Sequence, residues 1–323
     1  MTASRLNEFD LIARYFKRPA PPGFVGVGDD CALFDVAPGH TLATSTDLLI
    51  EGRHFFSDVN PKTLGHKALA VNLSDLAAMG AQPLACLLSL SVPEVDEDWL
   101  QAFSQGFHAL ADRAGCPLVG GDTTRSMHGV TINVTVMGQV KSGQALLRSN
   151  ARVGDDIWVS GFLGAADIAL RIMQGRLPAN ASLLEQCRPA LEQPEPPWEF
   201  AQALAGVAHA ALDISDGLAQ DLGHILAASA CGAELDYVAM PVHPALAGQD
   251  AKILQEAVLT GGDVYQLCFT AAPEQSHRIQ ALADQAQCHA TRIGRIVAEP
   301  GLRIFGTDGA LVPLSAAGFN HFS

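Results

Sequence analysis

No run in this sequence is long and apolar enough to span a bilayer. The longest, around Pro83 to Val92, falls well short of the roughly 20 residues a membrane helix needs. Cations are also scarce, with 20 Lys and Arg against 34 Asp and Glu, a net charge of −14. Such a balance argues against nucleic-acid and anionic-membrane partners, and an acidic protein handles phosphates only where cations mediate. The seven cysteines are odd in number and contain no CxxC pair. That count argues against a disulfide framework or a zinc site and for a reducing cytosol. Arg5 and Glu8 leave no signal-peptide core near the N-terminus, so a soluble cytoplasmic protein is expected. A GxxxxGK[ST] loop is missing, which excludes a Walker-type ATPase, and so are the HRD and DFG motifs of protein kinases. No internal repeat or low-complexity tract is visible.

What is present describes a well-buried globular chain. It has 323 residues, 48% of them hydrophobic and 17% charged, enough for two domains and a large core. The polar connector Arg148-Ser149-Asn150-Ala151-Arg152 sets an expected boundary, giving domains 1–150 and 151–323. Asn7 to Phe16 is expected to be a helix with Phe9, Ile12, Ala13 and Phe16 on one face. Thr41 to Asp47 alternates like a strand that ends on its acid. Pro83 to Val92 reads as a buried strand, Glu97 to Ala114 as a helix stopped by Gly115, and Val130 to Val140 as a half-buried strand. The second half alternates strands and helices, with a proline-punctuated stretch of short helices and loops at residues 175–197.

The chain is organised around Ala70-Val71-Asn72-Leu73-Ser74-Asp75-Leu76-Ala77-Ala78-Met79-Gly80-Ala81, a small-residue helix with a single carboxylate. Asn60 caps it, Pro61 suits its first position, and Gly80 with Pro83 stops it. Leu64, Ala68, Leu69, Leu73, Leu76 and Ala77 approximate the spacing of a buried face. A lone charge there costs several kcal/mol unless compensated. Two readings stand: a hydrogen-bonded structural Asp75, or a metal ligand.

Recurrence favours the second reading. Asp29 with Asp30, Asp47, Asp122, and Asp213 with Asp216 all fall where an apolar strand is expected to give way to a loop or helix. Carboxylates about 4 Å apart repel by roughly 4 kcal/mol at an effective dielectric near ~20. Several such pairs would offset the whole stability of a domain, about 5–15 kcal/mol. The acids therefore either stay apart or are held by divalent cations, and oxygen ligands suit Mg²⁺ rather than zinc. A site of this kind suits phosphoryl transfer, where positioning and charge neutralisation dominate. Gly161-x-x-Gly164 before a helix fits either a phosphate cradle or tight strand–helix packing.

These residues also carry a resemblance. Gly28-Asp29-Asp30-Cys31-Ala32, Ser45-Thr46-Asp47, Glu51-Gly52-Arg53-His54-Phe55, Lys67 through Ala81, Gly120-Gly121-Asp122-Thr123-Thr124 and Asp213-Ile214-Ser215-Asp216-Gly217-Leu218 closely resemble the thiamine-monophosphate kinases. Those enzymes belong to the aminoimidazole-ribonucleotide-synthetase-like superfamily of ATP users, and the match runs from about residue 8 into the tail. The resemblance implies an α+β fold of two domains: an N-terminal ATP- and magnesium-binding domain, whose sheets pair across a homodimer, and a C-terminal domain completing the cleft. It implies Mg²⁺ ligands at Asp30, Ser45, Thr46, Asp47, Asp75, Asp122, Asp213 and Asp216. It places ATP against Gly121, Asp122, Arg148 and Ser215, and thiamine monophosphate against His54, Asp263 and Phe319.

One stretch departs from the pattern. The family reads Gly-Gly-Glu-Asp-Tyr-Glu-Leu where this chain has Gly261-Gly262-Asp263-Val264-Tyr265-Gln266-Leu267, shortening one carboxylate and losing two charges. The implied reaction converts ATP and thiamine monophosphate to ADP and thiamine diphosphate by direct in-line transfer with several Mg²⁺ ions. Neither a general base nor a covalent nucleophile is expected, because the attacking phosphate, with a second pKa near ~6, is already ionised at neutral pH. The alternatives are a selenophosphate-synthetase-like or hydrogenase-maturation-like member of the superfamily, or an inactive cation-binding protein. The first two normally carry a reactive Cys near one terminus, whereas this chain reads Met1-Thr2-Ala3-Ser4 and His321-Phe322-Ser323.

Overall fold

In the computed structural model, described for residues 7–28 and 30–314, Glu8–Leu11 form α1 and Ile12–Phe16 a π turn. The π turn closes through Lys17 N–H to the Ile12 carbonyl at 2.8 Å. Its wider spacing rotates the expected stripe. Leu11, Tyr15 and Phe16 go inward, while Ile12 is half-buried and Ala13 exposed.

Strand β1, His40–Ile50, pairs antiparallel with β4, Thr131–Lys141, along its whole length. It does not end at Asp47 as expected, because Leu48 to Ile50 continue the ladder against Asn133, Ile132 and Thr131. Helix α2 spans Pro61–Ala78. The Asn60 side chain accepts from Lys62 N–H at 2.9 Å, and its carbonyl accepts from Leu64 N–H. Residues 64–74 are all buried, so α2 is enclosed on nearly every side rather than along one stripe. β2 (Gln82–Val92) follows, then α3 (Glu97–Ala114), capped by Asp96 and closed by Gly115 at φ +62°, then β3 (Leu118–Arg125). A Cβ at Gly65 would lie 2.0 Å from the Phe103 carbonyl oxygen, and one at Gly106 1.8 Å from that of Lys62. These two glycines allow α2 and α3 to touch backbone to backbone. The sheet order is β1-β4-β2-β3, with β2 and β3 parallel.

The chain divides into two compact units: residues up to Leu76 with Gln82–Ser142, and Ala77–Ala81 with the residues from Gly143 onward. The second unit runs β5 (Asp156–Ser160), α4 (Ala165–Met173), α5 (Ala181–Glu192), α6 (Trp198–Ala203), β6 (Ala210–Asp213) and α7 (Leu218–Ser229). It continues with β7 (Gly232–Asp236), α8 (Ala251–Leu259), β8 (Leu267–Ala271), α9 (Ser276–Gln285), β9 (Ala290–Val297) and β10 (Gly301–Phe305). The six strands order β10-β7-β9-β5-β8-β6. Ile157, Leu212, Leu222, Cys268 and Ile293 fill the core between this sheet and α7. Both units thus mix helix with largely antiparallel sheet, an α+β architecture. Among the described residues no helix is long and apolar enough to cross a membrane.

Candidate active site

In the first unit β1 and α2 bring two acids together. Alternate residues of a strand face opposite sides, so Ser45 and Asp47 turn toward α2 while Thr46 turns away. The Ser45 hydroxyl donates to Asp75 Oδ2 at 2.5 Å. Asp47 N–H donates to Asn72 Oδ1 at 3.0 Å, and Asn72 Nδ2 reaches back to the Ala68 carbonyl at 3.1 Å. Asn72 is 1% exposed. Burial and then the neighbouring Asp75 charge push the Asp47 carboxyl up to about 6. The Thr46 hydroxyl lies on the outer face, bonded to Thr135 Oγ1 at 2.9 Å and to the Val134 carbonyl at 3.1 Å.

The remaining residues of this unit sit on loops and edges. Asp122 is exposed and lies inside β3, not at its end, opposite Ser89 of β2. Gly121 beside it has φ +148°, and a Cβ there would stand 1.8 Å from the Leu88 carbonyl oxygen. Only glycine lets the two strands close at this point. Asp30 is exposed in the loop between the bridged residues Val25 and Leu33. His54 Nδ1 accepts from Ile50 N–H at 2.9 Å, which leaves the proton of a neutral ring on Nε2.

In the second unit two loops run side by side. Asp213, 7% exposed, ends β6. Beyond it, Tyr265 N–H donates to the Ile214 carbonyl at 2.7 Å, Ile214 N–H to that of Gln266 at 2.7 Å, and Asp263 N–H to that of Ser215 at 2.8 Å. Asp263 and Tyr265 both adopt left-handed conformations, φ +58° and +52°, and the Tyr265 hydroxyl donates to Asp263 Oδ1 at 3.2 Å. Two strained non-glycine residues in one loop are a recurrent mark of functional sites. Asp216, Ser215 and Asp213 therefore share one loop cluster with Asp263. Arg148 is exposed in a 3-10 turn whose carbonyl accepts from Ser229 Oγ at 2.8 Å at the end of α7. Phe319 lies outside the described residues.

Two further points resolve here. A Cβ at Gly161 would stand 2.5 Å from Gln266 Oε1 and one at Gly164 2.9 Å from Leu246, so packing fills the Gly161-x-x-Gly164 turn. Gln266 accepts from Ser160 Oγ at 2.8 Å and donates to the Glu195 carbonyl at 2.9 Å. A carboxylate has no N–H for the second bond, which accounts for the amide at this departure from the family pattern. Among the described residues no three His, Cys, Asp or Glu side chains gather into a metal-holding group. The donors that do meet, Asp47, Asp75 and Ser45, are all hard oxygens, and the raised Asp47 carboxyl marks a repulsion that a cation would relieve. This set fits Mg²⁺, which is commonly held by one or two carboxylates plus substrate phosphates.

Sequence reasoning passed over Asn72 and Asp221. Asn72 is a buried polar residue in an apolar helix, and Asp221 is an acid in the first turn of α7; both signals are visible in the sequence.

Residues 28–140 match the model of the AIR synthase related protein N-terminal domain, and residues 141–307 that of its C-terminal domain. The thiamine-monophosphate kinase of Salmonella typhimurium is 42% identical over 98% of both chains. The chain belongs to the thiamine-monophosphate kinase family. The crystal structure of a thiamine-monophosphate kinase from Stenotrophomonas maltophilia K279a superposes with a TM-score of 0.82, at 45% identity over 90% of this chain and 93% of that one. AaThiL, solved in complex with AMPPCP and TMP, superposes with a TM-score of 0.77 at 27% identity over 89% of each chain.

Proposed function

We propose that this protein transfers the terminal phosphoryl group of ATP to thiamine monophosphate, yielding ADP and thiamine diphosphate. The observation that carries the reading is a relative of the same fold that holds an ATP analogue together with TMP. The extended identity to thiamine-monophosphate kinases supports it. Asp47 and Asp75, with the Ser45 hydroxyl, would hold Mg²⁺ in the first unit, joined by Asp30 and Asp122; Asp213 and Asp216 would be the Mg²⁺ ligands of the second. When bound, Mg²⁺ neutralises the oxygens of two polyanions that must approach each other. Gly121, Asp122, Ser215 and Arg148 would contact ATP, Arg148 through a guanidinium fork suited to phosphate. His54, with its proton on Nε2, would donate to the phosphate of thiamine monophosphate, and Asp263 would accept from the exocyclic amine of the pyrimidine.

The acceptor phosphate is its own nucleophile, so transfer is direct and no phosphoenzyme forms. A coupled ADP-release assay tests the reaction: turnover dependent on thiamine monophosphate is expected, and its absence would leave an inactive cation-binding protein. Labelled ATP alone should leave no phosphate on the protein. We read the outer face of the first sheet as a homodimer surface, because Leu42, Leu48 and Ile50 of β1 are 50%, 49% and 40% exposed along it. All seven cysteines are free, in keeping with a cytoplasmic setting.

A further inference from the structure

The geometry points to Asp221 as a positioning residue that sets the shape of both loops in the second unit. The inference rests on the kinase reading only for what those loops do. Asp221 lies in the first turn of α7 and is 4% exposed. Helical side chains lean toward the N-terminus of their helix, and here one carboxylate oxygen, Oδ2, accepts from three successive backbone N–H groups. These are Ser215 at 3.0 Å, Asp216 at 3.0 Å and Gly217 at 3.1 Å. Three donors converging on one atom leave the Ser215–Gly217 turn little freedom. Gly217, at φ +117°, completes the constraint, since a Cβ there would stand 2.7 Å from the Thr260 carbonyl oxygen.

The hold extends to the second loop. With its N–H directed at Asp221, Ser215 presents its carbonyl to Asp263 N–H at 2.8 Å. A Cβ at Gly262 would come 2.6 Å from the same carbonyl oxygen, so the loops touch closely there. Ile214 exchanges backbone bonds with Tyr265 and Gln266 on the other side. Ser215 and Asp216 directly, and Asp263 through the Ser215 carbonyl, are therefore placed by a single buried carboxylate. Burial pushes that carboxyl up to about 6, the Asp216 charge pushes the same way, and the three N–H bonds pull it back.

Amide hydrogen exchange and steady-state kinetics on the intact protein and on Asp221→Asn test this. In the wild type the amides of Ser215, Asp216 and Gly217 should be protected, although they lie in a loop. In Asp221→Asn, whose amide offers a weaker acceptor and an unwanted donor, their protection should fall. Turnover should drop by about tenfold to a hundredfold, and half-saturation by Mg²⁺ should rise by about tenfold, the scale seen when a group that orients a metal ligand is lost. A purely structural Asp221 would lower the thermal midpoint but leave the Mg²⁺ requirement of the folded fraction unchanged, which overturns the proposal. Fast exchange of all three amides in the wild type overturns it without any variant. Loss of thiamine-monophosphate turnover in the wild type would refute the kinase reading instead, and the exchange result would still decide the role of Asp221.

Discussion

Each unit holds one carboxylate pushed up to about 6, Asp47 in the first and Asp221 in the second, yet they surround it differently. At Asp47 the second contribution after burial is another acid, Asp75, which pushes the same way. At Asp221 a neighbouring acid, Asp216, also pushes upward, but backbone N–H groups of Asp216, Gly217 and Ser215 push back. The first arrangement holds a repulsion in place with neutral groups, the Ser45 hydroxyl and the Asn72 amide. The second satisfies its charge internally. The first arrangement suits the cation proposed for it, whereas the second uses its buried carboxylate as a fixed post for its loops. Residue type alone does not separate these roles; the partners do.

The largest test of this contrast is Asp75→Asn. Turnover should fall on the order of a thousandfold, because one of two acids proposed to hold the cation is gone. Without Mg²⁺ the thermal midpoint should hold or rise, since the variant removes the charge opposing Asp47. Thermal melts in EDTA alongside the ADP-release assay measure both. Near-normal turnover would break the assignment of a cation to the first unit.

How much of this was legible in the sequence varied with the range of the interaction. α3 was readable to its last residue because Gly115 and the helical spacing of its apolar residues act within a turn or two; the Asp96 cap was not read. The Asp75 helix was also readable, but its burial was not. Gly65 and Gly106 let α3 close over it, and their spacing carries no signal of which helix lies opposite. Asp47 and Asp122 looked like strand ends because an acid after apolar residues usually marks one. Both strands continue past them, since ladder bonds to β4 and β2 override local polarity. Thr46 stood next to Ser45 and Asp47 in the motif, but the pleat sends its hydroxyl to the other face. Asp221 was missed because its partners lie upstream in a loop whose shape no periodicity describes.

A middling effect should come from Asp263, where charge and backbone can be separated. Its left-handed φ of +58° suits Asn and Gly better than Ala. Asp263→Ala removes the acceptor proposed for the pyrimidine amine and strains the loop by about 1–2 kcal/mol. Its Michaelis constant for thiamine monophosphate should rise by about tenfold, with that for ATP nearly unchanged. Asp263→Asn keeps the left-handed preference, so its thermal midpoint should match the wild type even though its substrate binding weakens. Equal substrate affinity in all three proteins would move the pyrimidine pocket away from this loop.

The smallest effect is a pH dependence of the metal-free protein, and it reads the raised Asp47 carboxyl of the first unit. The Asp47 carboxyl moves from an ordinary value of 3.8 up to about 6 on folding, first through burial and then through Asp75. The folded chain therefore binds this proton more tightly than the unfolded chain. The stabilisation from protonated Asp47 is complete below the ordinary value and is lost as pH rises through the folded one. Asn at this position does not titrate and mimics the protonated acid. In EDTA the melting points of wild type and Asp47→Asn should thus lie close together near the acid end of this window. The variant should then gain on the wild type up to neutral pH. Saturating Mg²⁺ should reverse the order at neutral pH, because the ionised pair then gains a ligand that binds only the folded form. A gap that stays constant across this pH range would show that the Asp47 carboxyl is not raised on folding, and the contrast between the two units would lose its electrostatic basis.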